Sequence, residues 1–255
     1  MIKAIFFDID GTLIPIGQHI MPQDTIEALE QLKKKGIKIF IATGRGMNEL
    51  NMITDKVSFD GYITLNGQVC LNEKFEIFYG NPIPTKDLSV LVEIFSEKKL
   101  PVIMVEKDKY YINYMNEEAV AIQKEIGVDS HEIEPYAGNP IYQVIVYADA
   151  QMTEKLFEKL PDCKWSRWHP NGIDIFSKDG GKMTGIQKTL EYFGISQEET
   201  MAFGDGDNDA EMLRYVKMGV AMGNAVDTTK AAADYVTSSQ DNGGIFKALK
   251  HFGLI

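Results

Sequence analysis

The feature that most limits how this chain can fold is an alternation of buried strands and amphipathic helices that stops near residue 81 and resumes near residue 182. Ile2, Ala4, Ile5, Phe6 and Phe7, broken only by Lys3, predict a strand buried on both faces of a sheet. "TIEALEQLKKKG" sets Ile26, Leu29 and Leu32 at helical spacing and stops at Gly36. "IKIFIATGR" reads as a second buried strand, "GMNELNMITDKV" as a helix and "DGYITLNG" as a third strand. Strand, helix, strand, helix, strand predicts an α/β fold, a doubly wound parallel sheet with right-handed crossovers.

From residue 82 the rhythm changes. A helix in "TKDLSVLVEIFSEKK", two short strands in "PVIMVEKDKYYINYM", a helix, the strand "IYQVIVYAD", another helix and the hairpin "KWSRWHPNGIDIF", turning at Asn171–Gly172, predict an α+β module. At "GGKMTGIQKTLEYFG" the first rhythm returns, with the strands "TMAFGD", "MGVAMG" and "DYVT" separated by helices. The expected organisation is therefore a core of residues 1–81 and 182–255 with an inserted domain at 82–181. Pro82–Pro84 and Gly180–Gly181 are the expected hinges.

In such a sheet, ligands bind at the carboxyl ends of strands, near the point where strand order reverses. Asp8, Asp10 and Thr12 follow the first strand, Thr43, Gly44 and Arg45 the second, and Asn66 and Gly67 the third. "GDGDND", with Asp205, Asn208 and Asp209, follows the first strand after the insertion, and Lys182 precedes a helix just before it. Singly, each has an ordinary explanation: an Asp-rich turn, a helix cap at Thr43 or Asn208, an Asn-Gly turn, a solvated lysine. Together they gather at one sheet edge. "GDGDND" is not a calcium loop, because Ala210 stands where glycine is needed and Val216 where glutamate is needed. It lacks the third glycine of a dinucleotide fingerprint as well.

The order D-x-D-G-T, T-G-R, K, G-D-x-x-N-D resembles the four motifs of the haloacid dehalogenase superfamily, and the inserted module resembles the cap of its Cof-like sugar-phosphate phosphatases. That resemblance implies a magnesium-dependent phosphatase acting on a small phosphate monoester, such as a sugar phosphate, through an aspartyl-phosphate. It implies Asp8 as nucleophile, Asp10 as acid and then base, and Lys182, Thr43, Gly44 and Asn208 around the phosphoryl group, with Arg45 and Asn66 either facing the substrate or locking loops. Magnesium would be held by Asp8, the Asp10 backbone carbonyl and Asp205, with Asp209 orienting a metal-bound water. Asp10 would have to be protonated near neutral pH, a state favoured by crowding among the carboxylates. The alternatives are a phosphomutase or a phospho-accepting signalling or binding protein without turnover.

A net charge of -11 argues against nucleic acid or an anionic membrane as partner. Cys70 and Cys163 have no paired spacing, and His19, His131, His169 and His251 form no zinc pattern. No signal peptide or spanning segment is read, so a cytoplasmic protein with a small-molecule substrate is expected. In the hairpin, Trp165, Arg167, Trp168, His169 and Asp174 suit either a sugar ring or cross-strand packing.

Overall fold

The computed structural model describes residues 1–16, 18, 20–126 and 131–255; His19 lies outside them. The backbone gathers into two compact units, Met1–Tyr79 with Gly181–Ile255, and Gly80–Gly180.

The first unit holds β1 (Ala4–Phe7), α1 (Gln23–Lys34), β2 (Lys38–Ala42), α2 (Asn51–Thr54), β3 (Gly61–Thr64), β4 (Val69–Asn72) and β5 (Ile77–Gly80, whose glycine opens the second unit). The second unit contributes α3 (Thr85–Ser96), β6 (Val102–Val105), β7 (Tyr110–Ile112), α4 (Glu117–Ile126), β8 (Gln143–Val146), α5 (Ala150–Phe157), β9 (Cys163–His169) and β10 (Gly172–Ser177). The chain then returns to the first unit with α6 (Lys182–Phe193), β11 (Thr200–Gly204), α7 (Ala210–Tyr215), β12 (Met218–Ala221), α8 (Asp227–Lys230), β13 (Tyr235–Val236) and α9 (Gly244–His251).

The core sheet has the order β13-β12-β11-β1-β2-β3-β4-β5. Its strands are parallel from β13 to β3, as the buried apolar runs predict. β1 lies between β2 and β11, with Phe7 in register with Ile41 on one side and Phe203 on the other. The chain thus leaves β1 toward β2 and comes back to β11 on the opposite flank. Strand order reverses there, which makes the carboxyl end of β1 the natural crevice. Stacked rings pin that centre: Phe6 on Phe40 at 5.0 Å and Phe7 on Phe203 at 5.1 Å.

Two features of the first unit depart from the sequence reading. The third strand is followed by an unanticipated pair, antiparallel β4 and the edge strand β5. The helix expected over "GMNELNMITDKV" contracts to a 3-10 turn, Met47–Glu49, and the single turn of α2.

The second unit is a fully antiparallel sheet of order β7-β6-β8-β10-β9. Leu91 and Phe95 of α3 and Leu156 of α5 share a core with Met104, Val144, Val146, Ile173 and Ile175. The hairpin turns at Pro170–Asn171, one residue earlier than expected, because Gly172 already pairs with His169. Trp168 lies over Gly172, where a Cβ would come within 2.6 Å of the indole. The Arg167 guanidinium donates to the carbonyls of Ala148 (3.0 Å), Pro170 (2.7 Å), His169 and Asp149 and to Thr153 Oγ1 (2.7 Å). That residue staples its own unit together, which is the packing alternative for the hairpin.

Candidate active site

Each parallel strand ends by handing a polar residue to the crevice. β1 ends at Phe7, and Asp8 follows with its N–H donating to the Phe203 carbonyl at 3.0 Å. The chain turns at Gly11, which sits at φ +85°. A Cβ on Gly11 would lie 2.1 Å from Asp205 Oδ2, so only glycine lets the turn close over that carboxylate. Thr12 Oγ1 donates to Asp205 Oδ1 at 2.7 Å.

Lys182 is the electrostatic centre. Its Nζ donates to Asp8 Oδ1 and Asp209 Oδ1, both at 2.6 Å, and all three side chains are buried. Close backbone approach places it: a Cβ on Gly67, at φ +83°, would fall 2.0 Å from the Gly181 carbonyl, so the start of α6 rests on the loop after β3. Asp209 accepts on its other oxygen from the N–H groups of Asp205 (2.8 Å) and Gly206 (3.0 Å), closing its turn on itself.

The loops after β2 and β3 are stitched together. Asn66 N–H donates to the Thr43 carbonyl at 3.0 Å and Leu65 N–H to the Arg45 carbonyl at 2.9 Å. Asn208 Nδ2 donates to Asn66 Oδ1 at 3.0 Å, which joins the β11 loop to the other two. A Cβ on Gly44 would lie 3.2 Å from the Asn66 amide. The fold thus connects Thr43, Gly44, Asn66 and Asn208.

Asp10 and Arg45 meet in a way the sequence did not indicate. Arg45 grips the Asp10 carboxylate with two bonds, Nε to Oδ2 at 2.8 Å and Nη2 to Oδ1 at 2.6 Å, the fork geometry of an ion pair. The Asp10 side chain is half exposed where it meets that guanidinium. Burial lifts the carboxyl of Asp8 well above the usual carboxylate range against the pull of Lys182, with Asp209, Asp205 and Asp10 adding to the rise. Burial also pushes Asp205 up to about 7, opposed by the Thr12 hydrogen bond and helped by Asp209. Lys182 is raised although burial opposes it, because Asp209 and Asp8 hold its proton. Lys182 bonds two of the three buried carboxylates, Asp8 and Asp209, and the crowding of all three favours a further cation.

Ligand atoms of Asp8, Asp205 and Asp209 lie within 4.8 Å of one another. An all-oxygen donor set with a cradle shaped around Asp205 fits a hard divalent ion such as magnesium. Asn224, absent from the sequence reading, also enters the cluster: its Nδ2 donates to the Gly11 carbonyl at 2.9 Å and to Asp205 Oδ2 at 3.3 Å. It follows β12 at the same edge, so the strand-end rule would have included it. The two cysteines are buried and free, with burial pushing each thiol up to about 12.

The family described as haloacid dehalogenase-like hydrolase matches residues 5–249. The chain belongs to that family. It is 33% identical to YkrA of Bacillus subtilis, a protein named as a candidate phosphatase, over 99% of this chain and 98% of that one. It is 26% identical to YitU of the same organism, named a 5-amino-6-(5-phospho-D-ribitylamino)uracil phosphatase, over 97% of this chain and 96% of that one. Among solved structures, it superposes on the subclass IIB sugar phosphatase BT4131 with a TM-score of 0.90 at 40% identity, covering 99% of this chain and 100% of that one. On the phosphatase BT1666 of Bacteroides thetaiotaomicron the TM-score is 0.90 at 34% identity, covering 100% and 96%. The α/β core with an inserted cap is thus the family's architecture, and the chemistry is that of a phosphoric monoester hydrolase acting on small-molecule phosphates. Among the described residues, no helix is long and apolar enough to cross a membrane.

Proposed function

We propose that this family member is a magnesium-dependent phosphatase for a small phosphate monoester of the sugar-phosphate class, working through an aspartyl-phosphate on Asp8. The observation that carries the reading is the buried Asp8 carboxylate at the switch point, bridged by Lys182 beside Asp205 and Asp209. Sugar phosphate as substrate class is supported by the 40% identical sugar phosphatase.

In the first half-reaction an Asp8 oxygen attacks phosphorus, the bond to the leaving alkoxide breaks, and Asp10 gives that oxygen a proton. In the second, Asp10 takes a proton from water as it attacks the aspartyl-phosphate, and inorganic phosphate leaves with Asp8 regenerated. Asp10 must leave the Arg45 ion pair for both steps, carrying a proton into the first and entering the second as the carboxylate. Arg45 would release it by moving its N–H groups onto a phosphoryl or substrate oxygen. Thr43 Oγ1 already accepts the Arg45 N–H at 3.1 Å, which leaves its hydroxyl proton to donate to phosphate. Asn208 spends one amide proton on Asn66 and has a second to offer. Lys182 both steadies Asp8 and offsets phosphoryl charge. Magnesium held by Asp8, the Asp10 carbonyl and Asp205 would neutralise the phosphoryl oxygens and orient phosphorus toward Asp8. Asp209 positions Lys182 and the β11 turn through the hydrogen bonds it accepts, and from there it would orient a metal-bound water.

The test is phosphate release across sugar phosphates, nucleotides and pyridoxal phosphate. Chelation should stop it, magnesium should restore it, and calcium should not, since calcium takes a larger and looser shell. Full activity in excess chelator would refute the metal requirement, and a phosphorylated sugar product without free phosphate would make the enzyme a phosphomutase. Asp10→Asn should slow alkyl phosphates about 10²–10⁴-fold and aryl phosphates far less, because a phenolate departs with little protonation. Equal losses on both substrate types would remove Asp10 from the acid role.

A further inference from the structure

The Gly11 turn and Asp205 come from chain segments far apart in sequence, yet the proposed metal site needs both held to a fraction of an ångström. Thr12 spans that gap from one side, through Asp205 Oδ1. On the other side, the Asn224 Nδ2 group donates at once to the Gly11 carbonyl (2.9 Å) and to Asp205 Oδ2 (3.3 Å). One planar amide therefore ties the peptide next to Asp10 to the carboxylate of Asp205.

The position of Asn224 is itself fixed by backbone. Met222 N–H donates to the Gly204 carbonyl at 3.0 Å and Val226 N–H to the Asp205 carbonyl at 3.0 Å, so the turn carrying Asn224 is zipped to the end of β11. Gly223 N–H donates to the Ser238 carbonyl at 3.1 Å, and Gln240 N–H donates to Asn224 Oδ1 at 3.4 Å. The amide's oxygen is thereby assigned to Gln240 and its nitrogen to the site, and an amide flip would break all three contacts at once.

We infer that Asn224 is a positioning residue for the divalent cation: its side-chain amide holds the Asp10–Gly11 turn and the Asp205 carboxylate in the spacing the ion requires. This rests on the metal-dependent reading above and adds a residue to it. The hydrogen bond restrains the rotation of Asp205 about its χ2 angle, so that the carboxylate need not be ordered when the ion arrives. Residues that orient ligands in this way typically shift metal affinity about 10–100-fold when removed.

The experiment is magnesium-dependent thermal unfolding of the full chain, wild type against Asn224→Ala, starting from chelator. Asn224 is exposed, so its truncation opens no buried cavity. Asn224→Ser is the second variant, with a hydroxyl too short to reach both acceptors. Expected are unfolding temperatures in chelator close to the wild type, with the magnesium midpoint for stabilisation moved upward about tenfold in both variants. A purely structural residue would lower the temperature in chelator and leave the midpoint alone, which overturns the inference. Unchanged midpoints in both variants overturn it as well, while the wild-type response keeps the metal reading intact. A wild type that gains no stability from magnesium removes the metal reading and the tether with it.

Discussion

Asp8→Asn is expected to reduce phosphate release by at least about 10³-fold while leaving the protein folded. The amide matches the carboxylate in shape but cannot attack phosphorus, and among the described residues the other carboxylate bonded to Lys182, Asp209, lies in the β11 loop and not at the end of β1. Without metal, the variant should be at least as stable as the wild type. Burial raises the pKa of Asp8, so the folded state favours the protonated carboxyl, and ionising it costs stability. Because the folded value lies above the unfolded one, the favourable contribution of the carboxyl is complete below the ordinary carboxylate range. It is lost as pH rises through the folded value. The unfolding temperature of Asp8→Asn relative to wild type in chelator should therefore climb between pH 4 and 8 (on the order of the unfolded to neutral range). Magnesium should reverse the ranking, because the wild type alone offers it the charged ligand. Residual activity near the wild-type level would remove Asp8 from the nucleophile role, and an unfolded variant at low pH would show that burial alone does not dominate the site.

Much of this site is legible in the chain because strand ends are legible. Apolar runs closed by a turn residue mark where Asp8, Thr43, Asn66 and Asp205 leave the sheet, and parallel pairing then sends them to one edge. What the runs do not carry is which polar groups satisfy one another. Asp10 and Arg45 are 35 positions apart, and their forked ion pair depends on the path of two loops with no periodicity to read. Asn224 falls within the strand-end rule, after β12, but a Gly-Asn pair in "MGNAVD" reads as a turn and does not reveal its target, Gly11, 213 residues away. The β4–β5 pair escapes notice because its turn places Phe75, not glycine, at φ +61°. Helical spacing over "GMNELNMITDKV" overstates α2, since Gly46 and the 3-10 turn after it consume the first residues of the pattern.

Lys182→Met should be the most damaging change to activity and stability together. The side chain is buried between Asp8 and Asp209 at 2.6 Å from each, and a methionine of similar length fills its space without its charge. Removing one member of a buried ion pair costs about 3–5 kcal/mol, because the partner charges lose their compensation without regaining water. Two carboxylates are stranded here, and their mutual repulsion pushes protons onto them. The loss should accordingly be smallest in acid, where both can be neutral, and grow toward pH 8. Phosphate release should fall about 10³-fold, since an oriented cation beside the nucleophile and the phosphoryl group is gone. The double variant Lys182→Met/Asp209→Asn separates the two effects. Neutralising Asp209 relieves the repulsion, so much of the lost stability should return, giving a coupling of opposite sign to the single losses. Activity should stay low, because the missing positive charge next to Asp8 is not replaced. Recovery of stability and turnover together would mean that Lys182 serves only to neutralise Asp209. A Lys182→Met protein as stable at pH 8 as at pH 5 would show that the carboxylates it leaves behind do not feel one another.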